Sequence, residues 1–103
     1  MSFNGSEGGP ICLDDAAALT DKYRSLNPNS TNGHFMGRDI LLRLLDQPGC
    51  MGIRTYYGID ADGKKQIVMV GADENEADML DLIADMSQPC PHRCRDSRLN
   101  TSA

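Results

Sequence analysis

The chain contains 103 residues, 40% of them apolar and 24% charged, and its formal net charge is −5. That length suits one domain, no apolar run reaches the about 18–20 residues of a membrane helix, and the negative balance gives no attraction to nucleic acid. Residues 1–10 also lack the basic start and apolar core of a signal peptide, so we expect a cytoplasmic protein with no membrane and no nucleic-acid partner.

The chain is predicted to begin with a flexible segment, residues 1–10, because glycine and serine dominate it and Phe3 is its one aromatic side chain. A first helix is predicted over residues 13–27. Its apolar residues recur every three or four positions and therefore share one face: Leu13, Ala16, Leu19, Tyr23 and Leu26. Pro28 disfavours helical geometry at the residue before it, so the helix should end at Asn27.

A second helix is predicted over residues 38–47. Four aliphatic residues in it form a stripe with helical spacing: Ile40, Leu41, Leu44 and Leu45. So many aliphatic residues in a short helix predict that it is buried on more than one side. The short apolar stretch at residues 34–36 is a candidate third strand for the hairpin that follows.

The most clearly predicted element is a β-hairpin whose arms are residues 51–60 and 64–72. Gly63 can adopt the positive φ that the tight turn between the arms requires. The second arm is apolar on both faces, which is typical of a central or covered strand. In the first arm Arg54 and Tyr56 share one face, either as an exposed aromatic and basic patch or as half-buried strand packing.

A third helix is predicted over residues 76–86, with Asn75 as its N-cap. Its apolar residues have the i, i+3, i+4, i+7 spacing of one helical face: Met79, Leu82, Ile83 and Met86. Two closely spaced prolines then end regular structure, and residues 90–103 are predicted to form a polar tail that contains cysteine. The predicted fold is α+β: one small domain over residues 11–89, in which about three helices cover an antiparallel hairpin of two or three strands.

The negative charge is concentrated in residues 73–85, which contain six acidic residues and no basic one, whereas the tail is basic. One interpretation is a solvated helix face with the tail lying across it. The other is an acidic surface for a basic protein partner, whose candidate contact residues are Asp73, Glu74, Asp78 and Asp81, together with Arg54 and Tyr56. A third alternative is a small enzyme that uses carboxylates around Asp73 and Asp78 as acid and base.

The tail places two thiols and an imidazole within five residues, and all three are potential zinc ligands: Cys90, His92 and Cys94. No second ligand pair of comparable spacing occurs, so a zinc site would need Cys50, Cys12 or His34. The alternatives are a disulfide or redox pair between Cys90 and Cys94, or thiols with no special role. Without an export signal the default expectation is reduced thiols.

Three stretches of the central region carry a resemblance: QPGCMGIRTYYG at residues 47–58, DGKK at 62–65 and VGAD at 70–73. Together they resemble a set of small bacterial proteins of similar length that carry no assigned function. The similarity extends from the start of the first helix to Cys90 and Pro91. It implies a self-contained domain family and implies no activity.

The sequence contains no nucleophile elbow, phosphate-binding loop or dinucleotide-binding glycine motif. The leading hypothesis is therefore a non-enzymatic interaction or regulatory module without a cofactor, which self-associates through a hairpin edge or the second helix. The second hypothesis is a metal-binding or thiol-redox protein that uses Cys90, His92 and Cys94, with zinc and Cys50 in the metal version.

Overall fold

A computed structural model of the chain describes residues 2–101, which fall into two compact units. The sheet unit consists of residues 2–8 and Met36–Ser87, and the disulfide unit consists of Gly9–Phe35 and residues 88–101. The elements, in chain order, are α1 (Leu13–Leu26), β1 (Gly33–Phe35), α2 (Arg38–Leu45), β2 (Cys50–Ile59), β3 (Lys65–Asp73), β4 (Asp78–Ala84) and β5 (Gln88–Cys90). The fold class is α+β, as predicted.

The sheet unit is built on an antiparallel sheet of order β2-β3-β4. The predicted hairpin is confirmed, because β2 and β3 pair continuously from Gly52 opposite Ala72 to Ile59 opposite Lys65. At the turn Gly63 has a φ of +79°, and a carboxylate oxygen of Asp60 accepts the backbone N–H of residues 62 and 64, each at 2.9 Å. The apolar second arm, β3, is the central strand of the sheet, also as predicted.

One face of this sheet packs against α2, which begins at Arg38 as predicted and ends at Leu45. The buried residues of this core are Met36, Leu44, Ile67 and Ala84. Gly71 on β3 lies close to the end of α2: an added Cβ would lie 3.4 Å from the carbonyl oxygen of Leu44 and 2.8 Å from Nε2 of Gln47, just past the helix. Burial on more than one side of α2 was predicted wrongly, since Leu42 and Leu45 are exposed.

The predicted third helix over residues 76–86 is wrong, because the chain turns and returns as β4. A carboxylate oxygen of Asp73 accepts the backbone N–H of Asn75 at 2.9 Å and of Ala77 at 3.0 Å, and Glu76 adopts a φ of +67°. These contacts form a tight turn in which Asn75 caps no helix. The structure therefore has two helices within residues 2–101 rather than about three.

Residues 34–36 were a candidate for the third strand of the sheet, but β4 takes this place. Instead, β1 pairs with β5 in a separate two-stranded antiparallel sheet in the disulfide unit, with Gly33 opposite Cys90 and Phe35 opposite Gln88. Asn32 N–H donates to the carbonyl of Cys90 at 2.7 Å and extends this pairing. A short apolar stretch such as this one indicates a strand but not its partner.

In the disulfide unit, α1 matches the predicted first helix, but it turns a different face inward. Its buried residue is Ala17, which is 3% exposed, whereas Leu19 and Leu26 are 67% and 70% exposed. Tyr23 lies on the inner side, with its hydroxyl 3.3 Å from the carbonyl oxygen of Thr31. The predicted apolar face was therefore wrong for the leucines, because helical spacing does not tell which side of a helix meets the rest of the protein.

The basic tail contacts α1 within the disulfide unit. Arg98 pairs with Asp14 at 2.8 Å, and Arg24 donates to the carbonyl of Leu99 at 2.8 Å. The flexibility predicted for residues 1–10 stays a prediction, and Met1, Ser102 and Ala103 lie outside the described residues. Neither helix in the described part of the chain has the length and apolar character needed to cross a bilayer.

Candidate functional site

The sheet unit brings three of the predicted interaction residues together: Arg54, Tyr56 and Asp78. Arg54 and Tyr56 are two positions apart on β2 and share a face, as predicted, and Asp78 begins β4 on the other side of the central strand. Arg54 and Tyr56 each donate a hydrogen bond to a different carboxylate oxygen of Asp78. Arg54 also donates to the carbonyl of Glu76 at 3.2 Å. We call these three side chains the polar latch.

The electrostatics of the polar latch favour an ionised Asp78, an ionised Arg54 and a neutral Tyr56. The hydrogen bond from Tyr56, followed by that from Arg54, lowers the pKa of Asp78 below the usual range of an aspartate. The same bond to Asp78 raises the pKa of Tyr56, because losing the phenolic proton would place two negative oxygens side by side. Asp78 also raises the pKa of Arg54, so the guanidinium stays charged.

These shifts are the reverse of those that acid and base catalysis needs. A general base works best when its pKa is raised toward neutral, and a tyrosine that gives up its proton works best when its pKa is lowered. Asp78 is shifted down and Tyr56 is shifted up. The two hydrogen bonds to Asp78 link β2 to β4 across the central strand.

The amino-terminal segment lies against the same part of the sheet. Phe3 N–H donates to the carbonyl of Glu74 at 3.0 Å, and the guanidinium carbon of Arg54 lies 5.5 Å from the centre of the Phe3 ring. That distance is within the range of a cation–π contact. Arg54 thus links Phe3, the polar latch and the turn before β4.

A cleft of about 450 Å³ opens beside Phe3 and Arg54. Its other lining residues are Gly5, Glu7, Leu45, Met51, Gly52, Ile53 and Ala72. The Glu7 carboxylate accepts the backbone N–H of Asn4 and of Gly5, each at 3.0 Å, and the first of these bonds is the main cause of its lowered pKa. Residues 4–7 thus form a hydrogen-bonded turn at the rim of the cleft.

Reasoning from the sequence missed Phe3, Glu7 and the cleft. The one signal that could have found them is an isolated aromatic residue within a segment of glycine, serine and asparagine. A single large apolar side chain has no periodicity, so pattern analysis gives it no partner. Its contact with Arg54 joins residues that are far apart in the sequence.

The other predicted interaction residues are not gathered into one acidic face. Asp73 uses its carboxylate within the turn before β4, and the backbone of Glu74 receives the Phe3 hydrogen bond. Asp81 lies on β4 and is exposed. The acidic surface for a basic partner, and the acidic enzyme site at Asp73 and Asp78, therefore lack the common helix face that the sequence suggested.

In the disulfide unit, Cys90 and Cys94 are joined by a disulfide, with their Cα atoms 5.4 Å apart. One of the alternatives left open by the sequence was this pair, whereas the default expectation was reduced thiols. The pairing follows from local geometry: Cys90 is fixed by β5, and Arg93 N–H donates to the carbonyl of Pro89 at 2.9 Å, which turns the chain back. Cys12 and Cys50 are free thiols.

The candidate zinc ligands are not assembled as a metal centre. Within residues 2–101, no three His, Cys, Asp or Glu side chains are grouped so as to hold a metal ion. Cys50 belongs to the sheet unit, where its Sγ donates to the carbonyl of Gly52 at 3.2 Å, and His92 is exposed in the disulfide loop. Cys90 and Cys94 offer no thiolate while they are bonded to each other, so the zinc hypothesis applies to the reduced chain and stays a prediction.

No family model, no curated protein and no solved structure matches this chain. The resemblance to small bacterial proteins of similar length therefore stays a prediction.

A second candidate surface lies at the far end of the hairpin, where β2 ends. Tyr57 and Ile59 share one face of β2 and are 76% and 72% exposed. The ammonium of Lys65, on the neighbouring strand, lies 4.8 Å from the centre of the Tyr57 ring. Residues 55–59 of β2 contain no charged residue. We call residues 55–59 the β2 edge segment.

Proposed function

We propose that the chain is a non-enzymatic interaction module that self-associates through the β2 edge segment. The observation that carries this proposal is the exposure of Tyr57 and Ile59 on a strand whose outer edge has no partner within the described residues. Exposed backbone N–H and C=O groups along such an edge can pair with a second strand. Apolar side chains beside them add buried area when they do.

Proteins usually protect edge strands with lysine, proline, a bulge or very short length. β2 is ten residues long, and the irregularity in its pairing lies between Cys50 and Gly52, away from the β2 edge segment. Residues 55–59 contain neither lysine nor proline. This segment therefore lacks the protective features, which supports its use as a contact.

The other edge of the same sheet provides an internal comparison. β4 carries Asp78 and Asp81 and is followed by Asp85, so two copies meeting at this edge would bring like charges together. Its pairing with β3 also shifts between Val70 and Gly71, which leaves residues 80–82 outside the regular register. β2 is therefore the edge better suited to a second strand.

The occupant that fits the β2 edge segment is a second copy of this chain. Most homo-oligomers are closed two-fold dimers, in which the same surface of each copy must complement itself. A neutral strand that pairs antiparallel with its own copy meets this condition, because no like charges face each other. The result would be one continuous sheet formed by two copies.

Sedimentation velocity tests the proposal over a range from low to high micromolar concentration. We expect the wild-type chain to shift from monomer to dimer as its concentration rises. Tyr57→Glu adds a charge to the edge while keeping an attraction to Lys65. We expect it to raise the dissociation constant of the dimer by about tenfold or more. Leu80→Glu is the matched control on β4, since Leu80 is 65% exposed, and it should leave the dimer intact.

Two outcomes would contradict the proposal. One is a wild-type chain that remains monomeric at the highest concentration. The other is a dimer that Leu80→Glu dissociates and Tyr57→Glu does not, because this result would place the contact on β4. Far-UV circular dichroism of each variant separates loss of association from loss of fold.

A further inference from the structure

The Cys90–Cys94 disulfide joins residues only four positions apart in the disulfide unit. We propose that this pair is a thiol–disulfide exchange site that accepts two electrons from a dithiol reductant, and that the sulfur of Cys94 is the one attacked. The proposal concerns a different unit from the β2 edge segment, so each can fail without the other.

The two cysteines differ in their access to solvent. Cys94 is exposed, whereas Cys90 is half-buried at the end of β5, where its carbonyl accepts the Asn32 N–H at 2.7 Å. A thiolate attacks a disulfide along the line of the sulfur–sulfur bond, so it needs open space at the sulfur it reaches. Cys94 is therefore the point of entry and Cys90 is the leaving group.

Positive charge surrounds the entry point in the sequence. Arg93 and Arg95 flank Cys94 and are exposed, and Asp96 is the acidic residue next to them. Arg93 donates to the side-chain oxygen of Gln88 at 3.3 Å, which holds the loop beside β5. Neighbouring cations stabilise a thiolate, so they favour both the attacking thiolate and the sulfur that is later released.

The shortness of the loop selects a dithiol over a monothiol. A single thiol that opens the bond forms a mixed disulfide on Cys94, but the freed Cys90 thiol remains close and re-forms the original bond. This return step is intramolecular, so its effective concentration is high. A reductant with a second thiol resolves the mixed disulfide before Cys90 returns.

The exchange is balanced in sulfur, protons and electrons. The first thiolate of the reductant bonds to Sγ of Cys94, the Cys90–Cys94 bond breaks, and Cys90 leaves as a thiolate that takes up a proton. The second thiol of the reductant loses its proton and attacks the reductant's first sulfur, and Cys94 leaves as a thiolate that also takes up a proton. The reductant becomes a disulfide, and the protein gains two electrons and two protons.

The fold around the site supports reversal of this step. The β1–β5 pairing runs from Gly33 opposite Cys90 to Phe35 opposite Gln88, and Cys94 lies outside it. Opening the disulfide removes one constraint on residues 91–94, while the backbone bonds of β5 and the Arg93 N–H bond to Pro89 remain. The reduced form should therefore keep its strands and close again when an oxidant is present.

The first experiment measures reduction of the folded chain. The chain carries Cys12→Ser and Cys50→Ser, so that only Cys90 and Cys94 contribute thiols. Cys12 is the N-cap residue of α1, a position that serine favours. The chain is incubated with dithiothreitol or with the same thiol concentration of 2-mercaptoethanol, then quenched with an alkylating reagent and weighed by mass spectrometry. We expect the dithiol to release two thiols from the native chain and the monothiol to release about tenfold less.

A disulfide that resists dithiothreitol in the native chain but yields in urea would overturn the proposal, because it would then be a protected structural bond. Equal reduction by the two reagents at matched thiol concentration would overturn the dithiol preference. Circular dichroism before and after reduction must be unchanged, and loss of signal would equally contradict reversible exchange.

The second experiment identifies the entry sulfur. In the same background, the Cys90→Ser variant retains Cys94 as its one cysteine, and the Cys94→Ser variant retains Cys90. The rate of reaction with an aromatic disulfide reagent should be about tenfold or more higher for Cys94 than for Cys90, since access limits the exchange. Equal or reversed rates in two folded variants would show that Cys94 is not the point of entry.

Discussion

The sheet unit and the disulfide unit are stabilised in different ways. The sheet unit buries six apolar residues within the described part of the chain: Met36, Leu44, Ile67, Val70, Ala72 and Ala84. In the disulfide unit, Ala17 is the one buried apolar residue among those described, and a covalent bond joins Cys90 to Cys94. A small chain buries a limited share of its surface. In this protein the unit that buries fewer apolar residues is the one that contains the disulfide.

The difference begins in the helices. In α2 the buried residue is a leucine, Leu44, whereas in α1 it is Ala17. Hydrophobic stabilisation grows with the apolar area removed from water, at about 25 cal/mol per Å², so a buried alanine contributes much less than a buried leucine. We therefore expect changes in packing to affect the sheet unit most and redox changes to affect the disulfide unit most.

The largest expected effect comes from Leu44→Ala. Leu44 is fully buried between α2 and the sheet, so its truncation leaves a cavity and should lower the free energy of unfolding by about 2–5 kcal/mol. Urea unfolding followed by circular dichroism measures this loss. Leu42→Ala, on the exposed side of α2, is the control and should change stability by less than about 1 kcal/mol. Similar losses for the two variants would contradict the one-sided burial of α2.

The next effect concerns the close packing around Gly71 on β3. Gly71→Ala places a Cβ 2.8 Å from Nε2 of Gln47 and 2.9 Å from Sγ of Cys50, so the neighbours must move, and we expect a loss of about 1–3 kcal/mol. Gly58→Ala is the matched control on β2, because its added Cβ would meet nothing within 4 Å. Thermal unfolding of both variants tests this, and a Gly71→Ala variant as stable as Gly58→Ala would show that the approach is looser than described.

Removing the disulfide tests the other side of the comparison. Replacing Cys90 and Cys94 with serine should cost about 2 kcal/mol of chain entropy for a loop of this length. Native-state hydrogen exchange locates the loss, which should appear at amides of β1 and β5 and leave those of β2 and β3 unchanged. Equal loss of protection in both sheets would mean that the units do not open separately.

The smallest effect is a pH dependence of the polar latch. The pKa of Asp78 in the folded chain is lower than in the unfolded chain, owing to Tyr56 and then Arg54, so this contribution is present at neutral pH. It is lost as the pH falls from about 4 through the folded pKa, where the carboxylate takes up a proton. Thermal unfolding at a series of pH values should show wild type and Asp78→Asn converging in acid. A gap that stays constant with pH would rule out this ionisation as the cause.

The sequence predicts well those elements whose pattern and turn chemistry agree. The β2–β3 hairpin has a glycine where the turn requires a positive φ, and β3 is apolar on both faces. The short helix α2 has one clear stripe of apolar residues with helical spacing. In each case local preference and tertiary packing favour the same structure, which is the condition for a pattern to be read correctly.

The prediction of a third helix failed because the apolar spacing of residues 76–86 is compatible with either a helix or a strand. Met79, Leu82 and Ile83 fit a helical face. However, Asp73 forms a turn that brings the chain back beside β3, and pairing with β3 then makes this segment a strand. The spacing of apolar residues in a sequence gives no information about a partner strand. The Phe3 contact was missed for a related reason, since it depends on Arg54 and Glu74 and on no pattern of its own.

The placement of Phe3 has a consequence for the order of events during synthesis. The sheet unit takes residues from both sides of Gly9–Phe35 in the sequence, and Phe3 has no acceptor until Glu74 has been made. Likewise β1 has no pairing partner until β5 leaves the ribosome. Because contacts between distant residues form late, neither unit can be completed until nearly the whole chain has emerged. A nascent chain that stalls before residue 84 would therefore expose both β1 and an incomplete sheet, and such unpaired edges favour aggregation and degradation.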